Sequence, residues 1–295
     1  MDELRILGFV GSDPDDNLLI EADALDALGA IASSPRYSRR LQGNIKLAYL
    51  DPPFNTGRSF TQYADRSDPF TWNTRLKATL ALIHDFLADD GSVWLHLDDC
   101  EQHRARLVLD EVFGSENFVA TVIWERTRMP RLGAKAFATR HDYLHIYRKS
   151  AAFHLTRPND RPVEAIWHGE DSGSNEEAAA EGNRIVDTKC ATPKPERLLR
   201  KVIELATRPG DYVLDCYAGS ATTPAVAHKL GRRWLAIEIE ANTVRDFALP
   251  RLRKVVDGTD QGGISSEVKW AGGGGFAHMK MMHGDIKSRD AYRPA

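Results

Sequence analysis

Four consecutive residues, Asp51-Pro52-Pro53-Phe54, put a carboxylate, a stiffened carbonyl and an aromatic face within one short turn. Such a group suits the chemistry of an aromatic amine. An exocyclic amine on a base is a poor nucleophile because its lone pair is delocalised into the ring. Acceptors for both N–H bonds make the nitrogen more sp3-like, and the Asp51 carboxylate and the Pro52 carbonyl can supply them. The prolines remove backbone donors and fix φ, which holds that carbonyl in place. Phe54 offers a flat face to a base turned out of its stack. Little beyond alignment is then needed for an in-line transfer. Taken alone, Asp-Pro-Pro would equally make a stiff turn at the end of a strand.

A second cluster changes those odds. Asp215-Cys216-Tyr217-Ala218-Gly219-Ser220-Ala221-Thr222-Thr223 reads as a loop between a strand and a helix. Its small residues let the backbone approach a ligand closely. Glu238 ends the next strand, where an acidic side chain can accept hydrogen bonds from ribose hydroxyls. A dinucleotide site wants G-x-G-x-x-G for its pyrophosphate, and only Gly219 is present here. Asp215 would repel phosphate but suits an ammonium group. The loop therefore fits a nucleoside bearing a cationic amino acid, such as S-adenosylmethionine, against the plainer reading of a packed strand–turn–helix junction. Thiol chemistry at cytosine C5 is not expected, because Asp99, Lys189 and Asp215, none of them proline, precede the three cysteines.

The elements that would position these residues alternate. Strands are expected over residues 17–23, 45–50, 92–97, 118–124, 142–147, 212–216 and 234–239. Helices are expected over 24–32, 70–87 (Leu76, Leu80, Ile83 and Leu87 recur at helical spacing), 101–113, 195–207 and 222–230. The strands at 118–124 and 142–147 have no helix between them and can pair antiparallel. Residues 155–192 are rich in turn formers and read as a surface excursion. The pattern implies an α/β fold with a mostly parallel sheet covered on both faces. Ligands bind beyond the carboxyl ends of such strands, where Asp23, Asp51, Asp215 and Glu238 all stand.

Composition narrows the class. The 295 residues are 42% hydrophobic and 27% charged, ordinary for a soluble globular chain, and three scattered cysteines without C-x-x-C spacing support neither a disulfide framework nor a zinc site. No metal is expected. No apolar run reaches the length of about 18 residues that a transmembrane helix needs, and the acidic N-terminus lacks a signal-peptide layout, so a cytoplasmic protein is expected. The net charge of −3 carries no global signal for nucleic acid, which leaves local basic patches.

These motifs resemble those of the β-group DNA amino-methyltransferases, in particular the Mod subunits of type III restriction–modification systems, in which a catalytic D-P-P-Y/F precedes the cofactor loop. The resemblance runs over most of the chain. It includes Asn17 to Asp23, Leu47 to Gly57, Asp89-Asp90-Gly91-Ser92, Leu97-Asp98-Asp99, Asp110 to Gly114, Asn117-Phe118 with Trp124, Lys194 to Leu199, Gly262 to Ser265 and Trp270 to Phe276. It implies a Rossmann-like class I S-adenosylmethionine-dependent methyltransferase, with a mostly parallel seven-stranded sheet and an antiparallel edge hairpin. Residues 1–256 would form the methyltransferase domain, with a short target-recognition insertion at about 151–190, and 257–295 a Gly-rich C-terminal hairpin and tail. Asp51, Pro52, Pro53 and Phe54 would be catalytic. Asp23, Lys194, Asp215, Tyr217, Gly219, Ser220, Ala221, Thr222 and Glu238 would line the cofactor site.

Two departures matter. The family usually has glycine where Ala221 stands, which adds a methyl group near the methionine part of the cofactor. The insertion is much shorter than in Mod proteins, which favours a compact methyltransferase that dimerises on double-stranded DNA over one with a partner nuclease. Arg126, Arg128, Arg131, Lys135, Arg140 and His141 crowd the segment between two strands on the substrate side and are candidate DNA contacts, against the plainer reading of a solvated loop. His84 reads as structural, and Trp72 and Trp94 as core. Adenine N6 is the favoured acceptor because Asp begins the tetrad, with cytosine N4 as the alternative. An RNA amino-methyltransferase and an inactive DNA-binding or regulatory relative are the competing readings, the last opposed by intact Asp51 and Asp215.

Overall fold

The computed structural model describes residues 3–12, 16–56, 58–59, 64–65, 68–127, 129, 137–157, 162–185 and 193–282. In chain order these form β1 (Glu3–Gly11), β2 (Leu18–Glu21), α1 (Ala24–Ser33), α2 (Pro35–Leu41), β3 (Ile45–Leu50), a small hairpin of β4 (Arg58–Ser59) and β5 (Ala64–Asp65), α3 (Pro69–Phe86), β6 (Leu87–Leu97) and α4 (Gln102–Phe113). There follow β7 (Phe118–Glu125), β8 (His141–Arg148), β9 (Ile166–Trp167), α5 (Gly169–Ser172), α6 (Asn175–Ile185), α7 (Glu196–Ala206), β10 (Tyr212–Asp215), α8 (Thr222–Lys229), β11 (Arg233–Glu238), α9 (Ala241–Thr243), α10 (Leu249–Val256) and β12 (Gly275–Met282).

Ten strands make one sheet in the order β1-β12-β2-β11-β10-β3-β6-β8-β7-β9. The run from β12 to β6 is parallel, and β8 pairs antiparallel with both β6 and β7. The expected antiparallel pair at the edge is present, but the expected count of seven becomes ten. The additional strands are β1, β12 and the two-residue β9. Their pairing depends on contacts far apart in sequence. Asn17 shows how: its amide donates to Gly275 O (2.8 Å) and accepts from Trp234 N (2.8 Å), tying the start of β2 to the strand on each side. The segment after 257, expected as a separate hairpin and tail, thus enters the central sheet at Gly275.

The strands read as near-continuous apolar runs because both faces are covered. Leu18, Ile20, Ala48, Leu50, Val93 and Leu95 face α1, α3 and α4, whereas Leu19, Leu47, Tyr49 and Trp94 face α7, α8 and α10. Helix α7 forms because Leu198, Leu199, Val202 and Ile203 recur at helical spacing; all four are fully buried. Its first residue, Glu196, is buried with Lys229 (2.8 Å) and Arg251 (2.7 Å), and Lys229 also meets Asp260 (2.7 Å). This charge cluster clamps α7, α8 and α10 together beneath the 215–222 loop.

The expected surface excursion is more ordered than its composition suggests. Trp167 of β9 is buried, and Trp124 donates to Gly173 O (3.1 Å), so the described part packs on the sheet edge. His84 is structural as expected, with its ring against Phe113 and its carbonyl accepting from Lys149.

Candidate active site

Because β2, β3, β10 and β11 run parallel, Asp23, Asp51, Asp215 and Glu238 emerge on one rim. Asp51 follows the last residue of β3. Its Oδ2 lies 2.5 Å from Lys194 Nζ, while its Oδ1 is buried without a hydrogen-bond partner. A buried carboxylate oxygen left unpaired is costly, so this atom is a prepared acceptor. Pro53 O accepts from Trp72 Nε1 (2.8 Å). Asn55 adopts φ 57°, and its amide donates to Glu101 Oε1 (2.8 Å). Glu101 is itself buried and held by Arg104. Phe54 lies between these anchors. Its ring stacks on His96 (centroids 6.1 Å apart, planes 23° apart), with Lys194 Nζ 5.2 Å from its centre.

The second loop follows β10. Asp215 Oδ1 accepts from Tyr217 N (3.0 Å), and Glu238 receives Gly219 N (2.8 Å) on one oxygen and Glu240 N (2.8 Å) on the other. Burial pushes the Asp215 carboxyl up to about 7; hydrogen bonds from Thr223 and Tyr217 N oppose the shift, and the nearby Asp51 and Glu238 charges add to it. Burial also raises Glu238. Ala221 caps α8 in the left-handed region (φ 61°, ψ 34°), which explains why glycine suits this position. Ser220 and Thr222 hydroxyls lie 3.2 Å apart, and Thr222 also receives Arg251 Nη1 (2.7 Å). A Cβ built on Gly219 would meet nothing nearer than Tyr217 O at 3.9 Å, so the loop borders open space rather than a packed junction.

Several expected residues sit elsewhere than their expected roles suggest. Lys194, expected at the cofactor, instead binds Asp51 and overlies Phe54. Asp23 caps α1 through Leu25 N (2.9 Å) and pairs with Arg75 (2.5 Å). Arg126 turns inward, its Nε 3.3 Å from Asp142 Oδ1. Arg140 pairs with Glu125 (3.2 Å), and His141 meets the Tyr143 hydroxyl (3.0 Å). Arg128, Arg131 and Lys135 lie outside the described residues. Sequence reasoning missed Glu101, His96 and Asp142, and it read Trp72 only as core. The rule of acidic residues at strand ends would have reached His96, which stands next to last in β6. Cys216, beside the second loop, is buried with its thiol pushed up by burial and by Asp215, so it stays protonated. Among the described residues, no group of three or more His, Cys, Asp or Glu is placed to hold a metal ion, and no helix is long and apolar enough to cross a membrane.

Residues 45–248, which contain both loops and the helices between them, match the family described as N6_N4_Mtase, DNA methylase. The chain belongs to this family. DNA methylase relatives extend beyond the matched core. The chain is 23% identical to the "Probable type III restriction-modification enzyme HindVI Mod subunit" of Haemophilus influenzae, over 91% of this chain and 54% of the relative. It spans about half the length of such Mod subunits. Among solved structures, the PvuII DNA methyltransferase (cytosine-N4-specific) superposes with a TM-score of 0.62 at 17% identity, covering 84% of this chain and 90% of that one. A DNA modification methylase from Thermus thermophilus, complexed with S-adenosyl-L-methionine, gives 0.57 at 18% identity, covering 90% and 99%. These likenesses establish the class I methyltransferase fold for this DNA methylase.

Proposed function

We propose that the chain moves a methyl group from S-adenosylmethionine to an exocyclic amine of a base in double-stranded DNA, adenine N6 favoured. The observation that carries this reading is the Asp51 Oδ1 acceptor, buried and unpartnered beside the Phe54 ring. The residues present fit the cofactor. Asp215, when ionised, would pair with its ammonium group, Glu238 would accept from its ribose hydroxyls, and the open space at Gly219 admits its backbone-side approach. When bound, the cofactor supplies an electrophilic methyl group on a sulfonium.

The chain's own residues do the rest. Phe54 stacks on the base, and Asp51 Oδ1 and the Pro52 carbonyl accept the two amine N–H bonds, which frees the nitrogen lone pair for attack. As the N–C bond forms and the S–C bond breaks, the nitrogen gains positive charge that the Asp51 carboxylate offsets. Asp51 Oδ1 is then placed to take the surplus proton. Lys194 on Oδ2 fixes which oxygen faces the substrate. Arg140, His141, Arg128, Arg131 and Lys135 are the proposed DNA contacts, with 151–190 as a short recognition segment. A second copy of the chain would cover the rest of the site, acting in the cytoplasm.

Transfer of labelled methyl from the cofactor to unmethylated DNA tests the reading. Wild type is expected to label DNA, and Asp51→Ala to lose roughly 100-fold or more while still binding cofactor. Cofactor binding without transfer by wild type overturns the enzyme reading in favour of an inactive DNA-binding relative. Nucleoside analysis of the product separates N6-methyladenine from N4-methylcytosine, since the clamp serves either amine. Light scattering with DNA tests pairing, and a mass of one chain per duplex overturns it.

A further inference from the structure

Behind the Phe54 ring lies a row of buried polar side chains that the amine clamp does not use. His96 is fully buried in β6, where the hydrophobic strand pattern gives no reason for an imidazole. Its Nδ1 is 2.7 Å from the Tyr49 hydroxyl, and its Nε2 is 3.2 Å from Asp142 Oδ2. Trp124 meets the ring edge-on (5.4 Å, 85°). The imidazole is thus held on both nitrogens and at its edge, and Phe54 stacks on its face.

The proton positions are consistent along the row. Burial raises the Tyr49 phenol well above its ordinary value, with Asp51, Asp215 and Asp142 adding to the shift, so it keeps its proton and donates to Nδ1. Burial pushes the Asp142 carboxyl up, but His96, Arg126 and Lys194 together hold it below its ordinary value. An ionised Asp142 accepts from Nε2–H. This fixes one tautomer of a neutral ring and leaves a flat surface for Phe54.

The far end of the row reaches the substrate side. Asp142 Oδ1 and Arg126 Nε lie 3.3 Å apart as an ion pair, yet neither atom makes an aligned hydrogen bond. The Arg126 backbone is pinned on both sides, by Arg140 O (2.9 Å) and by Asn175 N (2.7 Å). Its guanidinium is therefore the adjustable joint of an otherwise fixed row.

We infer that His96, clamped by Tyr49 and Asp142, is a positioning residue that sets the plane of Phe54, and that Arg126 links this clamp to the segment bearing the DNA contacts. The inference rests on the methyltransferase reading for its kinetic consequence, but not for its structural one. DNA phosphate drawing on Arg126 would reset Asp142, and with it the ring on which Phe54 lies. Tyr49, His96 and Asp142 touch no reacting atom, so their loss should act on the rate and not on cofactor binding.

Two measurements test this. In the first, wild type, Asp142→Asn, His96→Gln and His96→Leu are compared with labelled S-adenosylmethionine and unmethylated plasmid DNA. Asp142→Asn is expected to lower kcat roughly 10- to 100-fold with cofactor Kd and KM for DNA little changed, and His96→Gln to retain more activity than His96→Leu. A wild-type kcat in Asp142→Asn, or a loss that only follows thermal stability and cofactor affinity, overturns the role. In the second, the His96 ring N–H is observed by NMR in 15N-histidine-labelled protein. A downfield Nε2–H signal is expected in wild type, shifted by an unmethylated duplex, absent in Asp142→Asn and insensitive to DNA in Arg126→Gln. No shift with DNA in wild type overturns the Arg126 link. If wild type transfers no methyl group but the signal behaves as stated, the enzyme reading fails and the positioning row stands.

Discussion

Lys194 Nζ lies 2.5 Å from Asp51 Oδ2, joining the residue two before α7 to the first residue after β3 across 143 positions of sequence. The pair divides the carboxylate: one oxygen is committed to the protein and the other is kept for the substrate. Lys194→Met keeps the length of the side chain and removes the charge. It is expected to lower kcat by roughly 10-fold or more, because Asp51 can then rotate, while cofactor affinity measured by calorimetry falls less. A cofactor Kd that rises in step with the lost rate would return Lys194 to the cofactor site.

Trp72→Phe should separate packing from positioning. The ring remains, but Pro53 O loses its 2.8 Å donor. Stability should drop by about 1 kcal/mol, the usual net worth of one hydrogen bond. Steady-state kinetics should show a larger effect, roughly 10-fold in kcat, since the tetrad loses an anchor. Equal small effects on both would make Trp72 core alone.

The Asp215 carboxyl titrates at about 7 in the protein without ligand. Its facing groups are Asp51, Glu238, Thr223 and Tyr217 N. Below that value it is neutral and offers no charge to an ammonium group, so the apparent cofactor Kd should weaken about tenfold between pH 8 and pH 6. Stability runs the other way. The folded value lies above the ordinary carboxylate one, so the contribution of Asp215 to stability is present at low pH and lost as pH rises through about 7. Asp215→Asn should flatten both profiles, in calorimetric titrations and in thermal melts. Unchanged pH slopes in the variant would remove Asp215 from this role.

Ala221→Gly relieves a left-handed alanine but gives up a buried methyl group and adds chain entropy to the unfolded state. These terms are each about 1 kcal/mol, so little net change in Tm is expected. Ala221→Val adds β-branching in the same conformation at a fully buried site and should lower Tm by several degrees. A large gain from Ala221→Gly would show that the natural alanine is a strained choice.

Lys229→Met probes the buried charge cluster. It leaves Glu196 and Asp260 without one shared cation, at an expected cost of about 3 kcal/mol in denaturant unfolding. A neutral result would mean that Arg251 alone satisfies Glu196.

Much of this site was legible because its residues announce themselves locally. Asp51-Pro52-Pro53 combines acid and stiffness in adjacent positions, and Asp215 with Glu238 repeats the strand-end rule one strand apart. The positions of Asp23, Asp51, Asp215 and Glu238 on one rim follow from parallel strands alone. The rest depends on distance. Nothing near Glu101 in sequence indicates that it holds Asn55, and Asp142 acquires its role only when β8 lies beside β6. His96 sits inside an apolar strand, where a lone histidine looks like noise until Tyr49 and Phe54 are placed around it. The strand at 275–282 escaped notice for the same reason, since its partners β1 and β2 lie more than 250 residues earlier.

That last pairing has a consequence for how the molecule is made. Strand β1 has β12 as its partner in the sheet, so the earliest strand off the ribosome waits until residues 275–282 have emerged before it can dock. The loops at 51–54 and 215–222 are synthesised long before then. Throughout elongation, Leu7 and Phe9 stay on an unpaired edge, the kind of surface that nascent-chain chaperones shield, and the sheet closes as one of the final acts of biogenesis.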